Sequence, residues 1–301
     1  MTEPADTPAP AITPERLVSG LLHLLDVQDL GGDRFEGRRK PGGVGRVFGG
    51  QVVGQALAAA ERTVAADRSV HSLHAYFLRG GDEDHPIDFR VERDLDGGSF
   101  SNRRVVASQL GKPILNLTAS FHRVEDGVAH QDAMPHVPPP EDLPSEDALL
   151  RQYIHLIPEA RREMLLRPRA IEIRPAEARH WMGAEPAAPV SHSWFRAVAP
   201  LPDDPKIHRA ILAYASDFNL LGTCTLPHGL SWTLGNVMGV SLDHALWFHE
   251  PFRADDWLLY TTDSPWAGHA RGFNRGKIFT RDGRLIADVA QEGLIRRLRG
   301  S

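Results

Sequence analysis

Cysteine is almost absent from this chain. Cys224 is the single cysteine among 301 residues. A lone cysteine cannot form a disulfide within the chain, and it cannot contribute to a multi-cysteine metal site. We therefore expect a protein of the reducing cytoplasm.

The chain also lacks an excess of charge and a long apolar run. Its 34 basic residues nearly balance its 39 acidic residues, so no nucleic-acid partner is indicated. The longest nearly uncharged apolar stretch, 47–60, is too short to cross a bilayer and contains Gly and Gln. Residues 1–16 are rich in Pro, Ala and acidic residues, without a basic leader, which predicts a disordered tail and no membrane segment.

Two kinds of catalytic motif are missing. The sequence contains no Gly-x-Ser-x-Gly elbow, so no serine nucleophile of that type is predicted. Its 15 histidines include no His-x-x-x-His pair, and no Glu-x-x-His with a third ligand. We expect the His228 and His244 side chains to bond to backbone at strand ends. We therefore predict neither a metal ion nor another cofactor.

What the sequence does contain is an internal repeat. The first copy has a helix predicted over 49–64 and a β-rich stretch over 70–123. The second copy, about 170 residues later, has a helix over 207–221 and a β-rich stretch over 237–298. His71–Phe77 resembles Val240–Phe248 within these stretches. A helix followed by a meander of antiparallel strands, twice, is an α+β pattern.

The second predicted helix is apolar on nearly every face, so it should be buried. A strand meander wrapped around one buried helix is the hotdog arrangement, and two tandem copies predict a double hotdog. The proline-rich stretch 134–144 marks the connector between the copies. We predict a tail over 1–16, an N-terminal hotdog over 17–130, a linker with a helix at 145–165 over 131–168, and a C-terminal hotdog over 169–301.

Three polar residues are candidates for chemistry. Asp217 is the only charged side chain between Arg209 and His228, on a helix that should be buried, where an unpaired carboxylate is costly. It could instead cap the helix end or reach solvent. Gln291 shares strand parity with core-facing residues, although a neighbouring strand end could satisfy its amide. The Ser241 hydroxyl could hold a water or merely bond to backbone.

These residues fall within motifs that resemble the bacterial acyl-CoA thioesterase II family and its peroxisomal relatives. The motifs cover 47–56, 75–79, 214–221, 242–249 and 291–293, and the resemblance extends over about 47–296. It implies a double-hotdog fold, an acyl-CoA substrate and a water held by an Asp, a Thr or Ser, and a Gln. The matching positions are Asp217, Ser241 and Gln291, with Ser where many bacterial members have Thr.

The resemblance implies that Asp217 accepts a proton from the water that Ser241 and Gln291 position. The tetrahedral intermediate also needs N–H donors, and helix starts supply them. We therefore predict that backbone N–H groups of Gly50 and Gln51, in the first copy, form the oxyanion site. Each copy would then supply one part of a single shared site.

The remaining expectations concern substrate contacts and rival functions. Arg271, Arg275 and Lys277 could bind coenzyme A phosphates, or they could line a solvated strand edge. One rival is a hotdog enoyl-CoA hydratase, which pairs Asp with His five residues later, whereas Gly222 occupies that position here. The other rival is a non-catalytic acyl-CoA-binding protein. The sequence leaves open whether the chain is a monomer or a homo-oligomer.

Overall fold

The computed structural model describes residues 12–39, 45–177 and 185–298. The first half contains α1 (Pro14–Leu25), β1 (Val27–Gly31), β2 (Arg34–Gly37), α2 (Gly49–Glu61), β3 (Ser69–Phe77), β4 (Ile87–Asp96), β5 (Phe100–Gln109) and β6 (Lys112–His122). The connector contains the short helices α3 (Glu146–Gln152) and α4 (Glu159–Leu165). The second half contains β7 (Ile171–Pro175), β8 (Val190–Ala197), α5 (Pro205–Ala215), β9 (Val237–Ser241), β10 (Asp243–Phe248), β11 (Leu258–Gly268), β12 (Arg271–Thr280) and β13 (Leu285–Arg297). Short 3-10 helices cover Pro140–Asp142, Ile154–Leu156 and Thr223–His228.

The strands form one antiparallel sheet that runs through both halves. Its order is β1-β2-β4-β5-β6-β3-β10-β13-β12-β11-β8-β7, and β9 pairs with β13. The halves meet where β3 pairs with β10, with Tyr76 opposite Asp243 and Ser72 opposite Trp247. From this junction outward the two halves mirror each other, because β3-β6-β5-β4 on one side corresponds to β10-β13-β12-β11 on the other. The predicted α+β architecture and the internal repeat are confirmed.

The helices α2 and α5 pack against each other beneath the sheet. All residues of α2 except Gly49 and Ala58 are buried. Glycines allow the backbones to approach closely: a Cβ at Gly50 would lie 2.3 Å from the Tyr214 carbonyl oxygen, and one at Gly54 would lie 3.1 Å from that of Ala210. A single apolar core, which includes Leu57 and Leu212, therefore spans both halves.

Three sequence predictions about helices need correction. The helix α1 begins at Pro14, where the Thr13 hydroxyl accepts a hydrogen bond from Arg16 N, so residues 14–16 are helical and not part of a tail. Residues 1–11 lie outside the described part of the chain. The second long helix ends at Ala215 and not near 221, and the helix predicted at 145–165 is instead α3 and α4 with a 3-10 turn between them. Across the described ranges, no helix is both long and apolar enough to cross a membrane.

Candidate active site

The Asp217 carboxylate lies just beyond the C-terminal end of α5, where the two halves meet. Its Oδ2 accepts a hydrogen bond from the Gly50 backbone N–H at 2.9 Å, and its Oδ1 accepts one from Gln291 Nε2 at 2.7 Å. Gly50 belongs to the first turn of α2, and Gln291 belongs to β13. The first half, the second helix and the last strand therefore converge on one carboxylate.

Apolar surroundings make this carboxylate a potential base near neutral pH. Burial raises the pKa of Asp217 to about 6, although the hydrogen bonds from Gln291 and Gly50 oppose the shift. The rings of Phe48, Tyr214 and Phe218 pack together beside it, with centroids 5.1 to 5.2 Å apart. A carboxyl group of this pKa is ionised at pH 7 and accepts a proton more readily than an ordinary aspartate.

Gln291 is completely buried, and its amide nitrogen has two partners. Besides Asp217, Nε2 contacts His244 Nδ1 at 3.0 Å. The amide oxygen, Oε1, is buried and has no hydrogen-bond partner among the residues that the structure describes. The amide therefore offers one unused acceptor next to the carboxylate.

His244 is the residue that the sequence interpretation missed. It is fully buried, and its Nε2 lies 2.9 Å from Ser216 Oγ, so the expected bond to backbone at a strand end was wrong. Burial lowers the pKa of His244 to about 4, which keeps the imidazole neutral at pH 7. The available signal was strand parity, because His244 shares its parity with the buried residues Leu246 and Phe248.

Ser241 lies near these groups without bonding to them. It is the last residue of β9 and pairs with Gly293, two residues from Gln291 along β13. Its hydroxyl makes no hydrogen bond within the described ranges. A water-positioning role for Ser241 thus stays a prediction.

The N–H groups predicted for the oxyanion have other partners. The Gly50 N–H donates to Asp217, and the Gln51 N–H donates to the Phe48 carbonyl at 3.1 Å. The first helix therefore contributes to the site by supporting the carboxylate, which differs from the donor role that the sequence predicted.

The three predicted phosphate-binding cations are paired with carboxylates. Arg271 lies 3.2 Å from Glu292 and stands over the Trp266 ring at 5.6 Å, whereas Arg275 pairs with Asp263, and Lys277 pairs with Asp132. All three side chains are on the exposed face of β12. Contact with coenzyme A stays a prediction for each of them.

Among the described residues, the candidate site contains no metal-binding cluster and lies apart from a large cleft. Within residues 12–39, 45–177 and 185–298, no three His, Cys, Asp or Glu side chains form a group that could hold a metal ion. A cleft of about 1010 Å³ lies at the opposite end of α5, lined in part by Pro205, Arg209 and Phe248. It does not include Asp217, so hydrogen-bond geometry rather than cleft size identifies the candidate site.

Both halves of the chain match models of known protein families. Residues 163–294 match the family described as "Acyl-CoA thioesterase", and 38–122 match "Acyl-CoA thioesterase N-terminal domain". Human acyl-coenzyme A thioesterase 8 is 42% identical, covering 91% of this chain and 88% of its own. The crystal structure of a Mycobacterium marinum acyl-CoA thioesterase II has a TM-score of 0.75 and 42% identity over 93% of this chain and 99% of that one.

A more distant structure addresses the fold alone. An Alicyclobacillus acidocaldarius protein, described as having a hot dog fold, aligns with a TM-score of 0.73 at 18% identity over 92% of this chain and 97% of its own. The predicted double-hotdog fold is confirmed. Together with the matches over both halves, this defines the class of protein as hotdog thioester hydrolases. The chain belongs to the acyl-CoA thioesterase family.

Proposed function

We propose that this protein hydrolyses acyl-CoA to a free fatty acid and coenzyme A, using a water that Asp217 activates. The observation that carries the residue assignment is the 2.7 Å hydrogen bond from Gln291 to a carboxylate whose pKa is raised to about 6. Relatives named acyl-CoA thioesterases support the choice of substrate.

The bonded groups leave acceptor positions for a water. Each carboxylate oxygen has two lone pairs, and the Gly50 and Gln291 donors use one on each oxygen. The water donates one hydrogen to Asp217 and the other to the free Oε1 of Gln291 or to the Ser241 hydroxyl. Its oxygen then attacks the thioester carbonyl carbon while Asp217 takes the proton. When the C–S bond breaks, the thiolate leaves and the proton returns to it.

The repeat predicts one such site in each chain. Gly111 and Gly283 occupy equivalent turns with positive φ, and Ala119 stands eight residues after Gly111, as Gln291 does after Gly283. Leu73 lies opposite Ala119, in the place that His244 takes beside Gln291. The equivalent end of the first half thus has methyl and isobutyl groups where the second half has an amide and an imidazole.

Hydrolysis of an acyl-CoA series from short to long chains, followed by detection of the free thiol, tests this proposal. We expect coenzyme A release that depends on enzyme concentration and on acyl length. A protein that binds acyl-CoA without releasing thiol would be a non-catalytic binder. Conversion of enoyl-CoA without thiol release would instead support the hydratase alternative.

The cellular compartment and the oligomeric state are the remaining parts of the proposal. We place the protein in the cytoplasm, because its one cysteine is buried and unpaired. Coenzyme A substrates are also available there. Cell fractionation tests the location, and light scattering shows whether the chain is a monomer or a homo-oligomer.

A further inference from the structure

A chain of buried hydrogen bonds connects Gln291 to the end of α5. Ser216 and His244 are both completely buried. The Ser216 hydroxyl lies 3.1 Å from the Ala213 carbonyl oxygen and 2.9 Å from His244 Nε2. His244 Nδ1 in turn lies 3.0 Å from the Gln291 amide nitrogen.

The direction of every donor in this chain follows from its first member. A carbonyl oxygen can only accept, so the Ser216 hydroxyl donates to Ala213 and accepts from His244. His244 must then bear its hydrogen on Nε2, which leaves Nδ1 as an acceptor. An acceptor at Nδ1 requires the NH2 group of Gln291 to face it, and the second hydrogen of that group is directed to Asp217.

The reverse orientation of the amide would be unfavourable. If the amide of Gln291 turned by 180°, its oxygen would face both the lone pair of His244 Nδ1 and the Asp217 carboxylate. It would also withdraw the side-chain hydrogen bond that Gln291 donates to Asp217. A glutamine amide has two nearly isosteric orientations, so an external group is needed to choose between them.

We propose that His244, held by Ser216, is a positioning residue that fixes the Gln291 amide with its NH2 group on the base and its Oε1 available to the attacking water. This inference rests on the proposed function of Asp217 and Gln291. The His244 ring nitrogens contact Ser216 and Gln291, and not the Asp217 carboxylate. His244 acts through Gln291. It is therefore a positioning residue and not a catalytic one.

Replacing His244 should lower the turnover number. His244→Leu introduces the side chain that the first half has at Leu73, and it should lower kcat by roughly ten- to a hundredfold with KM changed less than about threefold. His244→Asn retains an acceptor near the place of Nδ1 and should recover most of that loss. His208→Leu is the matched control, because His208 is a buried histidine at the opposite end of α5 and should keep wild-type turnover.

A double-mutant cycle separates positioning from a structural role. If His244 acts only through Gln291, the variant with both His244→Leu and Gln291→Ala should turn over at the same rate as Gln291→Ala alone. Independent effects would multiply. Multiplicative losses, or a folded His244→Leu variant with kcat within about twofold of wild type, would overturn the proposal.

The pH profile gives a second readout. The hydrogen bond from Gln291 lowers the pKa of Asp217, so its loss in His244→Leu should move the acidic limb of kcat/KM to higher pH. The other titratable groups that face Asp217 are the phenols of Tyr214 on α5 and Tyr260 on β11, whose pKa values burial raises, and they stay neutral there. An unchanged limb in a slow variant would indicate a structural role.

Two further variants, at Ser216 and Asp217, cover misfolding of His244→Leu and failure of the proposed function. If His244→Leu does not fold, Ser216→Ala replaces it, with a smaller loss expected in the same direction and the same cycle against Gln291→Ala. Asp217→Asn tests the underlying function separately. Full turnover in Asp217→Asn would reject the proposed function, whereas an inactive Asp217→Asn with additive His244 variants would reject only the positioning role.

Discussion

At the residue scale, Asp217 combines a raised pKa with two donors that hold its oxygens. Asp217→Asn keeps the shape and removes the proton acceptor, so we expect kcat to fall by roughly a hundredfold or more. In the wild type, kcat/KM should fall as pH decreases through about 6, because protonation removes the base. Initial rates from pH 5 to pH 8 measure both effects. Turnover close to wild type in the folded variant would refute the assignment.

The same shift has an effect on stability whose sign can be checked. The pKa of Asp217 is higher in the folded protein than its ordinary value of 3.8, so the folded state binds this proton more tightly than the unfolded state. Its contribution is fully present below pH 3.8 and is lost as pH rises through about 6. We expect the free energy of unfolding of the wild type, relative to Asp217→Asn, to decrease between pH 4 and pH 6 in denaturant titrations. A relative increase over that interval would contradict the raised pKa.

Ser241 tests whether a hydroxyl is the property that matters beside Gln291. Ser241→Ala removes the hydroxyl, so we expect a loss of kcat of roughly tenfold or more. Ser241→Thr keeps it and should stay active, because Ser241 is only partly buried and faces Gly293 across the strand pair. Steady-state kinetics on both variants, with circular dichroism as the folding control, decide the matter. A folded Thr variant as inactive as the Ala variant would show that the hydroxyl is not required.

At the scale of elements, the contact between α2 and α5 explains why residue 50 is glycine. A helix start that binds substrate would also require glycine, to allow close approach to the backbone. The structure instead shows the Tyr214 carbonyl oxygen 2.3 Å from where a Cβ of residue 50 would be. Gly50→Ala should therefore force the helices apart, lowering the melting temperature and kcat together. Gly20→Ala in α1 is the control, since a Cβ there meets nothing within 4 Å and should be neutral or slightly stabilising. A Gly50→Ala variant that loses activity at unchanged melting temperature would favour the substrate explanation.

How far the sequence predicts each element depends on how local its signal is. The helix at α2 and the strand repeats were found because hydrophobic periodicity is a local pattern. The end of α5 was missed because apolar residues continue through Phe218 and Leu221, although the helix stops at Ala215 and the backbone of Asn219 has a non-helical φ of 58°. The His244 network was missed because its partners lie 28 and 47 residues away along the chain. The pairing of β10 with β13 brings Gln291 to His244, and the packing of α5 against the sheet brings Ser216.

At the scale of the whole molecule, the two halves share a fold but differ in what they place at equivalent positions. Near the C-terminal end of α2, the buried Glu61 carboxylate pairs with Arg209 of α5 at 2.7 Å. The donors to Asp217, near the end of α5, are neutral throughout the part of the chain that the structure describes. Arg209 acts to lower the pKa of Glu61, although burial is the larger effect and leaves that pKa above its ordinary value. The two carboxylates therefore differ in their partners, because a guanidinium occupies Glu61 whereas an amide and a backbone N–H hold Asp217. The repeat was visible in the sequence, but this asymmetry required knowledge of which side chains meet between the helices.

The asymmetry predicts that one carboxylate accounts for all of the turnover. Asp217→Asn should leave about 1% of wild-type kcat or less, rather than the half that would remain if both ends of the helix pair were active. Glu61→Gln should keep kcat within about twofold, because Ala119 and Leu73 provide no amide or imidazole there. Its melting temperature should nevertheless fall, since the partly buried Arg209 would be left without a full counter-charge. Kinetics and thermal unfolding of the two single variants, measured side by side, test this division. Half-maximal turnover in Asp217→Asn, or a folded and inactive Glu61→Gln, would mean that the first half carries a catalytic site of its own.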